Sequence, residues 1–305
     1  MFSFWEKNNN PSGWSRAVSR EFDSIISFLS PREHSCISIT SRLMQNGRPD
    51  PNLLKHHEVY LEKKDGKIVS LLLLSTDSVI APFFTTGSSD YIPEELLKKS
   101  PLMRKRYLTF MGMKEDVLRL ELLFGNRSKL SVDYFQLSAE SALIPAVVKQ
   151  YLKSKKNNTI ELSLIKKAEI SDFNLLMPLR KAYEIEEVLL VKSNFNEQAS
   201  RNRFRKTILE KAVFFGTVQN KPAATCCINT EGIAWYQIGG VFTRPEYRSK
   251  GISARLMAEL AVYAGNFGKN LTLFVKKDNL PALKLYSNCG FSTAGEFRIT
   301  YAERR

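Results

Sequence analysis

Residues 237–257 read QIGGVFTRPEYRSKGISARLM. The stretch describes a strand that ends, a turn built on Pro245 and charged residues, and a glycine that opens an amphipathic helix. A helix N-terminus carries backbone N–H groups without internal partners and the positive end of the macrodipole, so it attracts anions. Gly251 removes a Cβ from the approach, Ser253 is small, and Arg248 and Lys250 add positive charge at the mouth. The pattern suits a pyrophosphate. It is neither a P-loop, which needs G-x-x-x-x-G-K-[ST], nor a dinucleotide fingerprint, which needs G-x-G-x-x-G. Upstream, Gly239 and Gly240 sit inside the strand, where paired glycines are costly unless they permit a bulge or a close backbone approach. A bulge predicts that this strand splays from the next parallel one. A thin, extended ligand then enters between them and pairs with backbone at Val241 and Thr243.

Residues 279–291, NLPALKLYSNCGF, form the second informative piece. Asn279 is a good N-cap and Pro281 fits the first turn. Tyr286 lies two turns on and shares a face with Asn279 and Leu283. Read alone, Asn279 is a plain cap and Tyr286 a packed aromatic.

The surrounding pattern is mixed α/β. Strands are predicted at Ile160–Ile165, Val213–Val218, Ala223–Ile228, Ile233–Thr243, Leu271–Val275, Phe291–Ala294 and Glu296–Tyr301. Helices are predicted after a cap at Ser171 or Asp172, over Asn196–Lys211, over Ile252–Phe267 and over Leu280–Cys289, with Pro178 able to kink or split the first. Ile252, Leu256, Leu260, Tyr263 and Phe267 form one stripe. The polar stretch Ser154–Asn158 reads as a linker after a short helix at Glu140–Leu152, giving domains 1–158 and 159–305.

The first half repeats much of this order. Helices near Ser19–Leu29 and Pro31–Gln45 precede strands at Val59–Glu62 and Ile68–Leu74, joined by the hairpin signal Asp65-Gly66. A strand at Val79–Thr85, a helix at Glu94–Lys99, a strand at Tyr107–Met111, a helix at Glu115–Phe124 and a strand at Val132–Leu137 follow. A degenerate internal duplication and an unrelated α/β domain both fit this order.

The segments VFTRPEYRSKGISARLM and NLPALKLYSNCGF, with the element order over Ile160–Tyr301, resemble the GNAT superfamily of acyl-CoA-dependent N-acetyltransferases. Ser253 departs mildly from a position where that family more often has Gly or Ala. The resemblance implies an α/β mixed-sheet, GNAT-like acyl-CoA N-acyltransferase fold, here as two tandem GNAT-like halves. It implies acetyl-CoA as acyl donor and no metal. By the same resemblance, backbone at Val241, Phe242 and Thr243 binds the pantetheine and thioester, and Arg248, Ser249, Lys250, Gly251, Ile252 and Ser253 hold the pyrophosphate. Tyr286 protonates the departing thiolate, and Asn279 fixes the pantetheine arm or a water. The base is less legible. The run YEIEEVL offers Glu184, Glu186 and Glu187, and Glu186 or Glu187 is expected to bind a cationic acceptor or serve as base, a solvated acidic helix end being the plain alternative. In the first half, TTGSSD at 85–90 stands where the phosphate turn would be but lacks its Arg, and Glu121 stands about where Tyr286 would correspond. If that half is a second copy, donor binding there is expected to be lost.

Composition bounds the rest. The 305 residues are 43% hydrophobic and 25% charged, ordinary globular values that exclude wholesale disorder. The four cysteines form no C-x-x-C, which points to reduced thiols in a cytoplasmic protein and away from zinc. No apolar run approaches the roughly 20 residues of a membrane span, and the N-terminus lacks the signature of a signal peptide. The formal charge of +14 divides almost evenly between the halves, and aromatics do not interleave with the basic clusters, so nucleic-acid binding is disfavoured. The expected partner is a small-molecule or peptide amine, with oligomeric state undetermined. A non-catalytic acyl-CoA sensor is the alternative function.

Overall fold

The computed structural model describes residues 13–89, 92, 94–125, 127–155, 160, 162–189 and 194–304. Contacts group the chain into two units, Met1–Asp133 with Glu296–Arg305, and Tyr134–Gly295.

The first unit contains β1 (Trp14–Arg16), α1 (Phe22–Leu29), α2 (Glu33–Thr40), the small hairpin of β2 (Met44–Gln45) and β3 (Arg48–Pro49), and then β4 (Glu58–Lys64), β5 (Lys67–Leu74) and β6 (Val79–Phe84). It continues through α3 (Glu94–Lys99), β7 (Tyr107–Met113) and α4 (Lys114–Leu123). Asp65 and Gly66 both take positive φ, 51° and 76°, the geometry that lets a two-residue turn match strand twist. β4, β5 and β6 pair antiparallel, and β6 pairs parallel with β7 through Val79 and Ile80.

β8 (Arg127–Ala139) runs out of this unit, and its residues from Tyr134 onward belong to the second. There follow α5 (Ile144–Ser154), β9 (Leu164–Lys167), α6 (Phe173–Tyr183), α7 (Glu197–Glu210), β10 (Val213–Val218), β11 (Lys221–Glu231), β12 (Trp235–Thr243), α8 (Ile252–Gly265), β13 (Asn270–Lys276), α9 (Leu280–Asn288) and β14 (Ser292–Arg304). In the second unit β9 to β12 pair antiparallel, β12 runs parallel to β13, and β13 pairs antiparallel with Tyr134–Ala139 of β8. The first unit has the same arrangement, its last antiparallel partner being Phe297–Glu303 of β14 beside β7. Each unit thus takes one strand from the other half of the sequence, and the contact grouping departs from the 158/159 division for that reason.

Strand alternation sends side chains to two faces. Phe214, Cys226, Tyr236 and Ile238 pack with α8, while Val213, Phe215, Cys227 and Phe242 pack with α6 and α7. The stripe on α8 is Ile252, Leu256, Leu260 with Met257, Ala261 and Ala264 buried beside it. Phe267 lies beyond the helix end, against the Tyr263 ring at 5.0 Å, and is 56% exposed because the helical face no longer carries it to the core.

Some boundaries move. The strand expected at 160–165 is β9, four residues at Leu164–Lys167; Ile160 and Leu162 still pack on the core, and residues 156–158 of the expected linker, with Thr159 and Glu161, lie outside the described residues. The two terminal strands are one, β14, running through Gly295. Pro178 sits within α6 without splitting it.

Candidate active site

The two glycines of β12 have separate local reasons. Cys227 faces Gly239 and Thr225 faces Phe242 across β11, so Gly240 and Val241 together oppose Cys226. This is a bulge, and Gly240 takes φ +59° to make it. A Cβ on Gly239 would stand 1.9 Å from the Asn229 side chain, and one on Gly240 would stand 2.9 Å from Cys227 Sγ. β12 pairs with β13 only from Trp235 to Ile238, so the two strands diverge past Ile238 and Leu273. The divergence opens into a groove of about 830 Å³.

One wall is the turn into α8. Ser249 and Gly251 both have positive φ, 61° and 79°, and Gly251 caps α8 with no side-chain hydrogen bond to the helix amides. The first amides of α8 therefore open toward the groove lined by Gly251, Ile252, Ser253 and Ala254. The Ser253 and Thr243 hydroxyls hydrogen-bond each other, tying the helix start to the end of β12. Arg248 Nε donates to Thr243 O at 3.0 Å, and its Nη2 donates to Glu186 Oε1 at 2.6 Å. Lys250 behaves otherwise: its Nζ donates to Glu246 O at 2.8 Å and lies over the Tyr247 ring, away from the groove lining.

The opposite wall is α9. Asn279 Oδ1 accepts from the Ala282 amide at 3.1 Å, so it is the N-cap, while its Nδ2 donates to Glu187 Oε1 at 3.3 Å. Asn279, Ala282, Leu285 and Tyr286 face the groove, whereas Leu283 packs into the core. Tyr286 is buried, edge-on to Phe291, and its hydroxyl is pushed well above the ordinary phenol range, first by burial and then by nearby Tyr183 and cysteine groups. Cys289 is buried as well, and burial pushes its thiol up to about 12.

The acidic run lies in a π-helical turn, Glu184–Val188, that continues from α6. Its three glutamates separate. Glu184 is 2% exposed and paired with Arg180 at 2.7 Å and Arg203 at 3.2 Å, which makes it a packing element. Glu186 and Glu187 line the groove, one on Arg248 and the other on Asn279, and Lys276 Nζ holds Glu187 O at 2.8 Å. Tyr183 precedes them; burial first, with Cys227 adding and Arg180 and the Gly240 amide opposing, pushes its hydroxyl up to about 12.

The groove thus gathers Val241, Phe242, Thr243, Arg248, Ser249, Gly251, Ile252, Ser253, Asn279, Tyr286, Glu186 and Glu187, and leaves Lys250 outside. Sequence reasoning missed Tyr151 of α5, Lys155 just past its end, and Lys276 and Lys284. Lys155 Nζ donates to Ser249 O at 3.1 Å from inside the expected linker, where its basic run reads only as a solvated face. Among the described residues, no group of three or more His, Cys, Asp or Glu is placed to hold a metal, and no helix is long and apolar enough to cross a membrane.

Residues 179–291 match the family model of the Acetyltransferase (GNAT) family. That segment carries a GNAT-type domain. No curated protein sequence matches it. In fold it is similar to a Drosophila protein at TM-score 0.62 and 11% identity, over 95% of this chain and 98% of that one. A tandem GNAT protein from the clavulanic acid biosynthesis pathway gives TM-score 0.50 at 10% identity, covering 96% and 98% of the two chains. A GCN5-related N-acetyltransferase from Sphaerobacter thermophilus gives TM-score 0.50 at 13% identity, covering 96% and 95%. The fold is therefore GNAT-like across both halves, and the repeated strand arrangement is a tandem one.

Proposed function

We propose that the protein is an acetyltransferase that moves the acetyl group of acetyl-CoA directly to an amine, either a small molecule or a peptide. The observation that carries this reading is the groove in which a bulged strand, an uncapped helix N-terminus and a buried phenol converge. The residues fit a long polyanionic thioester: Gly251 has no Cβ at φ +79°, the α8 amides have no side-chain cap, and Arg248 and Lys155 flank the turn.

Acetyl-CoA supplies the activated acetyl thioester. Arg248, Ser249 and the first amides of α8 hold its pyrophosphate. Val241 N–H donates to the thioester carbonyl oxygen, which gains charge as the amine attacks. Tyr286 stays protonated at neutral pH, because burial raises its hydroxyl, and gives that proton to the departing sulfur. Glu187 is the better-placed base: Asn279 orients its carboxylate, whereas Glu186 is engaged by Arg248. Four buried thiols without disulfides suit a reducing compartment, the cytoplasm.

Calorimetry with CoA tests the donor site. Micromolar binding is expected, and Gly251→Asp should weaken it at least tenfold through bulk, strain and charge; absence of binding to the wild type removes the reading. A thiol-release screen with acetyl-CoA against an amine library tests turnover. Tyr286→Phe should lower kcat by about 10²-fold and spare CoA affinity. CoA binding without thiol release on any amine would favour a sensor.

A further inference from the structure

The bulge in β12 is braced from below by side chains that the proposed chemistry does not use. Thr225 Oγ1 donates to Gly240 O at 3.0 Å, and the single S–H of Cys227 lies between Gly239 O at 3.3 Å and Asn229 Oδ1 at 3.4 Å. The Gly240 amide faces the Tyr183 oxygen. Side chains thus meet the Gly239 carbonyl and both the amide and the carbonyl of Gly240, the groups that bracket the bulge. The wall behind them is tight: Tyr183, Thr225, Cys227, Phe204 and Gly240 enclose only about 10 Å³. The Tyr183 ring is held in turn, edge-on to Phe242 at 6.5 Å and under the Arg180 guanidinium at 5.3 Å, while Glu184 anchors Arg180.

We infer that Tyr183, Thr225 and Cys227 are positioning residues for acyl transfer, fixing the Gly240–Val241 bulge so that the Val241 amide is aimed at the thioester carbonyl. The inference rests on the reading of the groove as the donor site. Its physical basis is that an amide stabilises developing charge only when held at the right place beforehand, and displacement by a fraction of an ångström forfeits much of the gain. The acyl donor itself is bound mainly at the turn before α8, a separate element, so affinity and rate should come apart.

Thr225→Val removes the hydroxyl at nearly constant shape and takes its hydrogen bond from the Gly240 carbonyl. It should lower kcat about tenfold, with KM for acetyl-CoA, CoA affinity and melting temperature close to wild type. Thr225→Ser, which restores the donor, should recover most of the rate. Tyr183→Phe keeps the ring packing and should show the same split, which covers the case that Thr225→Val fails to fold. Wild-type kcat in both variants, or loss of CoA affinity in step with kcat, overturns the inference. Wild-type protein that fails to bind CoA overturns the donor-site reading beneath it, a distinct result.

Discussion

Glu186 and Glu187 are adjacent in the chain yet meet different partners, and their substitution should separate them. Glu186 is about 40% exposed on its side chain, so its pair with Arg248 is worth at most about 1 kcal/mol. Glu186→Gln frees Arg248 and removes a negative charge beside a polyphosphate. CoA should then bind several-fold tighter, most clearly at low salt, when titrated calorimetrically across ionic strength. Glu187→Gln should instead lower kcat by about 10²-fold, with little change in CoA affinity. A residue outside the site carries a stability prediction. Asp116 is 8% exposed, and burial raises its carboxyl to about 6, the Phe84 amide partly opposing. A raised pKa means the folded protein prefers the protonated form. The stability from this group is full below about 4 and lost as pH rises through about 6, roughly 3 kcal/mol in all. Asp116→Asn should therefore gain melting temperature over wild type at pH 7.5, a gain that shrinks toward pH 4 in thermal scans. The sequence placed Gly251 at the start of α8 and Tyr286 on α9, and both line the groove. The two carboxylates were not separable, because which partner each meets depends on the π turn after α6.

Elements follow from periodicity where apolar spacing is regular. β10 falls at Val213–Val218, as its apolar run predicts, and α9 ends one residue before the expected Cys289. Periodicity says nothing about which strand an element will join. β8 and β14 each cross from one unit to the other, and no local pattern marks the crossing. A stability consequence follows. A fragment of residues 159–305 lacks Leu137, Ile144 and Val148, all buried in the second unit's core. At about 1.5–3 kcal/mol each, their loss is of the order of a domain's whole stability. That fragment should show no cooperative urea transition by circular dichroism, whereas residues 134–295 should unfold cooperatively.

At the scale of the whole molecule, two copies of one strand arrangement differ in what fills their clefts. In the first unit β6 and β7 also part after Ile80, but its own carboxylates take the amides there: Asp116 accepts from Phe84 N at 3.3 Å, and Glu62 from Ser89 N at 3.0 Å. An anion approaching those amides meets negative charge. Calorimetry should accordingly give one CoA per chain; two equivalent sites would contradict it. The sequence by itself determined the strand, turn and helix start that the proposal reads as the donor site, because a tight glycine turn, a helix N-terminus and a cap are local devices set by neighbouring residues. Only the tertiary structure decided which strands complete each sheet, which glutamate meets Arg248, and that Tyr183, Thr225 and Cys227 brace the bulge. These contacts join residues far apart in the chain, and side-chain packing, not local conformational preference, selects them.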